Sequence, residues 1–172
     1  FWLMAQAGYK PVIEYCGGTE IGGGYLTATM VQPAAPSFFT TPAIGLDFAI
    51  LDDAENQSSQ GEVYILPPSI GLSNMLLNKD HEEEYFRDAP LIKEEYNGGL
   101  GTSLLGQAKQ YSGDIGFRRH GDEIEKTNNG FFRTHGRVDD TMNLGGIKVS
   151  SIEIERLLNT ITGVKETAAI AV

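Results

Sequence analysis

Apolar residues in this chain come in short runs separated by polar and glycine-rich stretches, and the period of each run predicts its element. Residues 1–10 read as the end of a helix, with Gly8 near its close and Pro11 barring continuation. Val12-Ile13-Glu14-Tyr15 predicts a short strand that runs into the cluster Gly17-Gly18-Thr19-Glu20-Ile21-Gly22-Gly23-Gly24. Leu46–Leu51 alternates as a strand does. A polar turn over Asp52–Gln60 separates it from Glu62–Leu66, which predicts an antiparallel pair. Residues 78–116 are charged and glycine-spotted and read as a long surface loop with one short helix.

Order returns at Phe117. Runs over 117–125 and 131–137 flank Thr127-Asn128-Asn129-Gly130, and Asn-Gly supplies the positive backbone angles of a tight hairpin. A further strand pair is predicted around Asn143–Val149. Ser150-Ser151-Ile152-Glu153 then matches a capping box, in which the serine and the glutamate satisfy each other's free amides. Ile154, Leu157, Leu158 and Ile161 behind it share one helical face, and Gly163 is the predicted stop. No internal repeat is visible. The chain opens on Phe1-Trp2-Leu3-Met4 and closes on Ala168–Val172, which reads as a buried strand. Natural termini are more often polar and frayed, so the expectation is an internal piece of a longer protein.

Composition narrows the function classes. With 23 acidic side chains against 13 basic ones, a net charge of -10 and no basic stripe, the chain repels a phosphate backbone, which argues against nucleic-acid binding. No apolar run approaches the roughly 20 residues that span a bilayer. A single cysteine forms no internal disulfide and suits a reducing compartment. The expectation is a soluble, intracellular globular protein.

Four constellations carry candidate chemistry. In the glycine loop after Tyr15, backbone amides and the Thr19 hydroxyl suit a phosphate, and Glu20 suits a divalent cation beside it; a plain hairpin loop is the commoner outcome of such spacing. The loop is neither a P-loop nor a dinucleotide fingerprint. Gly121-Asp122 offers a carboxylate for two ribose hydroxyls, or a plain sheet-edge aspartate. Arg137 in Gly136-Arg137-Val138-Asp139-Asp140 suits a ribose or phosphate, the aspartates after it a solvated turn. Asn143-Leu144-Gly145-Gly146-Ile147-Lys148 is read as a narrow glycine-lined channel with a lysine in reach of a phosphate, or as a bulged hairpin. Cys16, His81, His120 and His135 match no zinc spacing, and nothing suggests a Ser-His-Asp relay.

The order of these pieces is more specific than any one of them. Tyr15-Cys16-Gly17-Gly18-Thr19-Glu20, Gly61-Glu62-Val63, Gly121-Asp122, Gly136–Asp140 and Gly146-x-Lys148-Val149 through Glu153-Ile154-Glu155 together resemble the adenylate-forming superfamily of acyl-CoA synthetases, luciferases and peptide-synthetase adenylation domains. Lys10–Gly24 and Asp139–Ser151 look most like the acetyl-CoA-synthetase-like acyl-activating enzymes of plants. The resemblance implies a mixed α/β fold. Residues 1–137 would be the C-terminal part of the large AMP-binding domain, a β-barrel-like subdomain with an insertion at 87–116. Residues 138–172 would begin the small mobile α+β domain.

The resemblance implies that a carboxylic acid is joined to ATP as an acyl-adenylate and passed to coenzyme A, with Mg2+ at Glu20. Thr19 would bind the α-phosphate, while Glu14, Tyr15 and Cys16 would form part of the adenine wall. Asp122 and Arg137 would hold the ribose. Asp139 would be the hinge, Gly146 would line the pantetheine channel, and Lys148 would meet the adenylate during thioesterification.

Two departures matter. Cys16 stands where an aromatic residue is common. Gly17 stands where strict acetate enzymes carry tryptophan, which implies an acyl group larger than acetate. The phosphate loop is expected before Phe1 and the adenylating lysine after Val172, so the chain alone would be inactive. Alternatives are a module that loads a carrier protein, and a degenerate nucleotide binder. Plant relatives of this type are peroxisomal, which leaves cytoplasm or peroxisome.

Overall fold

The computed structural model describes residues 1–92, 115–138, 141–144 and 147–170. Helix α1 (Trp2–Gln6) is capped at Ala7, and Gly8 follows with a φ of +67°, so the chain turns where glycine permits it. The predicted strand at residues 12–15 is absent. These four residues are exposed and join no strand ladder among the described residues; pairing starts at β1 (Cys16–Gly18), where the partner β2 (Gly23–Thr27) begins to run alongside. Between them Thr19–Ile21 forms one turn of 3₁₀ helix, closed by Gly22 at a φ of +65°. The glycine cluster is therefore a hairpin. β3 (Thr41–Pro42) pairs with β2 and completes a three-stranded sheet.

The second sheet has the order β4-β5-β8-β9. β4 (Phe48–Leu51) and β5 (Gln60–Ile65) form the predicted antiparallel pair, while β8 (Arg118–Lys126) and β9 (Phe132–Arg137) form the predicted Asn-Gly hairpin. Gly130 sits at a φ of +82°. All of β4 is buried because the sheet is covered on both faces. Phe48, Ile50, Val63, Ile65 and Ile124 pack with Ile21, Tyr25 and Leu26 of the hairpin, whereas Ala49, Leu51, Tyr64 and Leu66 pack with Phe117 on the other face. Burial of this apolar surface is the main force holding the hairpin onto the sheet.

Besides this packing, one isolated backbone bridge among the described residues links the segment before β3 to β9, Phe39 to Phe132, with amide–carbonyl distances of 2.9 and 2.8 Å. A single bridge does not extend the ladder, so among the described residues these are two open sheets and not the closed barrel that the barrel-like expectation suggests.

Within the segment read as loop, α2 (His81–Tyr85) supplies the short helix, capped by Asp80, whose side chain accepts from the Glu83 amide at 3.0 Å. Contrary to a pure loop, β6 (Leu91–Ile92) pairs with β7 (Ile115–Gly116). The predicted C-terminal pair is β10 (Thr141–Leu144) with β11 (Ile147–Ser150), followed by α3 (Ser151–Leu158).

Ser150 is the N-cap as expected, but the capping box is not closed. Its hydroxyl is directed to the His135 carbonyl at 3.4 Å, and Glu153 faces His135 instead. The helix ends at Leu158, short of Gly163, so Ile161 lies beyond it. Residues 168–170 form no strand. The Ala169 amide donates to the Glu155 carboxylate at 3.0 Å, so the backbone is spent on a side chain. Among the described residues, no helix is long and apolar enough to cross a membrane.

Candidate active site

Close packing of backbone sets the shape of the site. A Cβ on Gly17 would lie far inside contact distance of the Gly23 carbonyl, so β1 and β2 approach as only glycine allows. Gly71 presses on the Ile21 carbonyl from below, and the Ser73 amide donates to the Glu20 carbonyl at 3.0 Å. These contacts fix the turn that carries Thr19 and Glu20. Thr19 is exposed at its tip, and the Glu20 carboxylate folds back over Gly18, where a Cβ would collide with both of its oxygens.

β8 brings Asp122 beside this turn. Asp122 lies opposite Arg137 in the β8–β9 register. Three groups converge on one oxygen of its carboxylate. Oδ2 accepts from the Tyr25 hydroxyl at 2.8 Å and from the Cys16 thiol at 3.4 Å, and His120 Nε2 lies 3.2 Å away. The other oxygen, Oδ1, faces Arg137 Nη1 at 3.7 Å. Arg137 donates to the His120 carbonyl at 2.9 Å and covers Gly121, where a Cβ would come within 2.7 Å of Nη2. Gly121 has a φ of +86°, which any side chain would strain.

His120 lies between two carboxylates. While Nε2 meets Asp122, Nδ1 is buried 3.4 Å from Glu20 Oε1, with no hydrogen bond among the described residues. Its ring stacks edge-on against Tyr25 with centroids 4.8 Å apart. Burial pushes the Asp122 carboxyl up, but the bond and charge of His120, with the bonds from Tyr25 and Cys16, outweigh it and hold the pKa below the usual carboxylate value. Burial pushes the Cys16 thiol up to about 12, so it remains a neutral donor.

The structure thus gathers Thr19, Glu20, Cys16, Asp122 and Arg137 around one spot. Glu14 and Tyr15, just before Cys16 in the chain, are exposed. The Glu14 carboxylate accepts from the Ser37 amide at 3.1 Å, and the Tyr15 ring lies over Gly24. Cys16 props Asp122 from behind. Tyr25 and His120 complete the cluster and were invisible as site residues in the sequence, since Tyr25 reads as a core aromatic and His120 matches no ligand spacing. Asp139 and Gly146 lie outside the described residues. Lys148 is placed only as a backbone position on β11, opposite Asn143.

Among the described residues no three metal-ligating side chains cluster. One carboxylate is nonetheless what a nucleotide-borne Mg2+ requires, because that ion is commonly held by one or two carboxylates and substrate phosphates. Glu20, partly exposed at 29%, fits.

No family model matches the chain. It is 45% identical to the probable peroxisomal acyl-activating enzyme 17 of Arabidopsis thaliana and 42% identical to hexanoyl-CoA synthase of Cannabis sativa, both over 99% of this chain. It spans about a fifth of these relatives, 22% of each. Its fold matches acetoacetyl-CoA synthetase from Streptomyces lividans with a TM-score of 0.65 at 21% identity, over 96% of this chain and 23% of that one.

Proposed function

We propose, from the premise that this chain belongs to the adenylate-forming superfamily, that the full-length protein is an AMP-forming acyl-CoA synthetase. It activates a carboxylic acid with ATP as acyl-adenylate and pyrophosphate, and then transfers the acyl group to coenzyme A. The observation that carries the reading is Asp122. With three groups converging on Oδ2, the carboxylate is fixed in place and presents Oδ1, beside Arg137, to a ribose hydroxyl. The Thr19–Glu20 turn is joined to it through His120, which lies between Glu20 and Asp122.

The roles proposed are those that the family resemblance implies, and the geometry around Asp122 supports the ribose part of them. Thr19 donates to the α-phosphate, and Glu14, Tyr15 and Cys16 edge the adenine. Asp122 and Arg137 hold the ribose. Glu20 would hold Mg2+, which supplies neutralisation of phosphate charge when bound. The chain's own contribution is orientation, because in-line attack by a carboxylate needs its partners held still more than it needs a nucleophilic side chain. Asp139 serves as the hinge between 1–137 and 138–172, with 87–116 an insertion; Gly146 borders the coenzyme A channel and Lys148 serves the second half-reaction.

The acid is larger than acetate, a reading supported by the relative named hexanoyl-CoA synthase. Gly17 enters that proposal under a constraint: a larger residue there needs a differently spaced hairpin. The protein acts in the peroxisome or cytoplasm, the first supported by its similarity to the peroxisomal acyl-activating enzyme 17 of Arabidopsis thaliana.

The test is pyrophosphate release by the full-length protein with ATP, Mg2+ and acids of about two to twelve carbons, with and without coenzyme A. Acyl-CoA formation supports the reading and ranks the acids. Acid-dependent release without transfer to coenzyme A identifies a carrier-loading module instead. ATP binding without release identifies a non-catalytic binder.

A further inference from the structure

Arg118 opens β8 and is almost wholly buried, at 1% exposure. Its guanidinium stacks on the Tyr85 ring of α2 with 3.7 Å to the centroid, and Nη2 donates to the Ser73 hydroxyl at 3.0 Å. Among the described residues, its Nε and Nη1 are buried and have no hydrogen-bond partner. Burial lowers the Arg118 pKa, and neighbouring Tyr85 and Glu20 raise it.

Ser73 is held on three sides. Its hydroxyl accepts from Arg118, its carbonyl lies 2.9 Å from His81 Nε2, and its amide donates to the Glu20 carbonyl at 3.0 Å. The path Tyr85–Arg118–Ser73–Glu20 therefore ends on the backbone of the turn that the proposed reaction uses for phosphate and metal. A packing role alone does not explain the residue. Apolar side chains of similar volume fill such a space without stranding two guanidinium nitrogens, and are commonly as stable or more so.

We propose that Arg118 is a positioning residue for adenylation: acting through Ser73, it fixes the Thr19–Glu20 turn in the register that ATP requires. The inference rests on the reading of that turn as the phosphate site. It assigns Arg118 no contact with substrate. Loss of the clamp weakens the first half-reaction, which also handles the metal and the β- and γ-phosphates, more than the second, in which the turn meets only the α-phosphate that the acyl-adenylate retains.

The experiment uses the full-length protein with R118M, R118K and S73A. Acid-dependent ATP–pyrophosphate exchange is followed against Mg-ATP concentration. Thioester formation from supplied acyl-adenylate is measured separately, and hydrogen exchange is read over residues 18–24 and 69–74. The expected result for R118M is a KM for Mg-ATP raised about tenfold, the scale set by one charge-assisted bond, with the thioester step lowered by clearly less and faster exchange in both segments. R118K recovers part of the loss, and S73A, which keeps the backbone intact, moves in the same direction by less. Equal loss in both half-reactions, or unchanged exchange kinetics and hydrogen exchange, overturns the proposal. If the unmodified protein shows no pyrophosphate exchange with any acid, the proposed function fails instead, and hydrogen exchange alone then decides whether Arg118 holds the turn. Should R118M fail to fold, R118K and S73A carry the same comparison.

Discussion

The Tyr25 hydroxyl donates to Asp122 Oδ2 at 2.8 Å, joining the second strand of the glycine hairpin to a residue 97 positions further along the chain. Tyr25 is fully buried, so its hydroxyl has no water to fall back on. Replacing Tyr25 by Phe leaves the ring packing and removes one of the groups fixing the carboxylate. The expected cost is about 1.5–3 kcal/mol of stability, as for hydrogen bonds to charged groups, with a raised KM for ATP. Urea unfolding and the ATP dependence of pyrophosphate exchange, both in the full-length protein, measure the two effects.

That link also shows what sequence can and cannot deliver. The β4–β5 and β8–β9 pairs were legible because their alternation and turn residues are local. The ordered set of short motifs pointed to Thr19, Glu20, Asp122 and Arg137, which the structure brings together. Tyr25, His120 and Arg118 were not legible, because their roles arise from packing between a hairpin and a sheet distant in sequence. The missing strand at 12–15 has the same cause: Val12 and Ile13 carry strand propensity, but no neighbour offers them a ladder. Ala168–Ile170 misled likewise, since Glu155 captures a backbone amide that a strand would have used.

Gly121 tests the ribose side. At a φ of +86°, with Arg137 Nη2 only 2.7 Å from where a Cβ would stand, alanine meets both backbone strain and a displaced guanidinium. Gly121→Ala is expected to cost about 1–2 kcal/mol from the left-handed backbone alone. It should also weaken nucleotide binding beyond that, because Arg137 must move. Thermal unfolding and calorimetric titration with ATP separate the two. Unchanged affinity in a destabilised variant would place Arg137 outside the nucleotide site.

Asp122 gives the chain an acid sensitivity with a definite sign. Its folded pKa lies below the ordinary 3.8, so the ionised form is the one the fold prefers. The stability this contributes is complete above the unfolded value and is lost as pH falls through the folded pKa, which puts the loss below about pH 4. Between pH 5 and 2 the urea midpoint of the unmodified protein should drop more steeply than that of Asp122→Asn. Parallel curves would show that the three groups around Oδ2 add nothing to the ionised state.

Cys16 should be chemically quiet. With its pKa at about 12, thiolate is about one part in 10⁴ at pH 8, and thiolate is the reactive form. Iodoacetamide should label the native protein slowly and the urea-unfolded protein at the rate of an ordinary thiol. The raised pKa also means that folding stability is lost as pH rises from the unfolded value near 9 toward 12. Fast native labelling at neutral pH would show that the thiol is free of Tyr25 and Asp122.

Gly17 decides between two accounts of acyl selectivity. If its missing side chain opens an acyl pocket, Gly17→Ala should cut activity on hexanoate and spare acetate. The hairpin geometry points elsewhere, because the methyl would run into the Gly23 carbonyl, and backbone cannot yield as a flexible side chain can. The expected result is a loss of about 1–3 kcal/mol in stability, typical of forced overpacking. Pyrophosphate exchange should fall by a common factor for every acid, because the Thr19–Glu20 turn moves with the strands that frame it. Thermal unfolding and exchange rates with acetate, butyrate and hexanoate measure both. A selective loss on the longer acids would mean that β1 and β2 part to admit the methyl and that Gly17 does face the acyl chain; a uniform loss assigns selectivity to residues outside this hairpin.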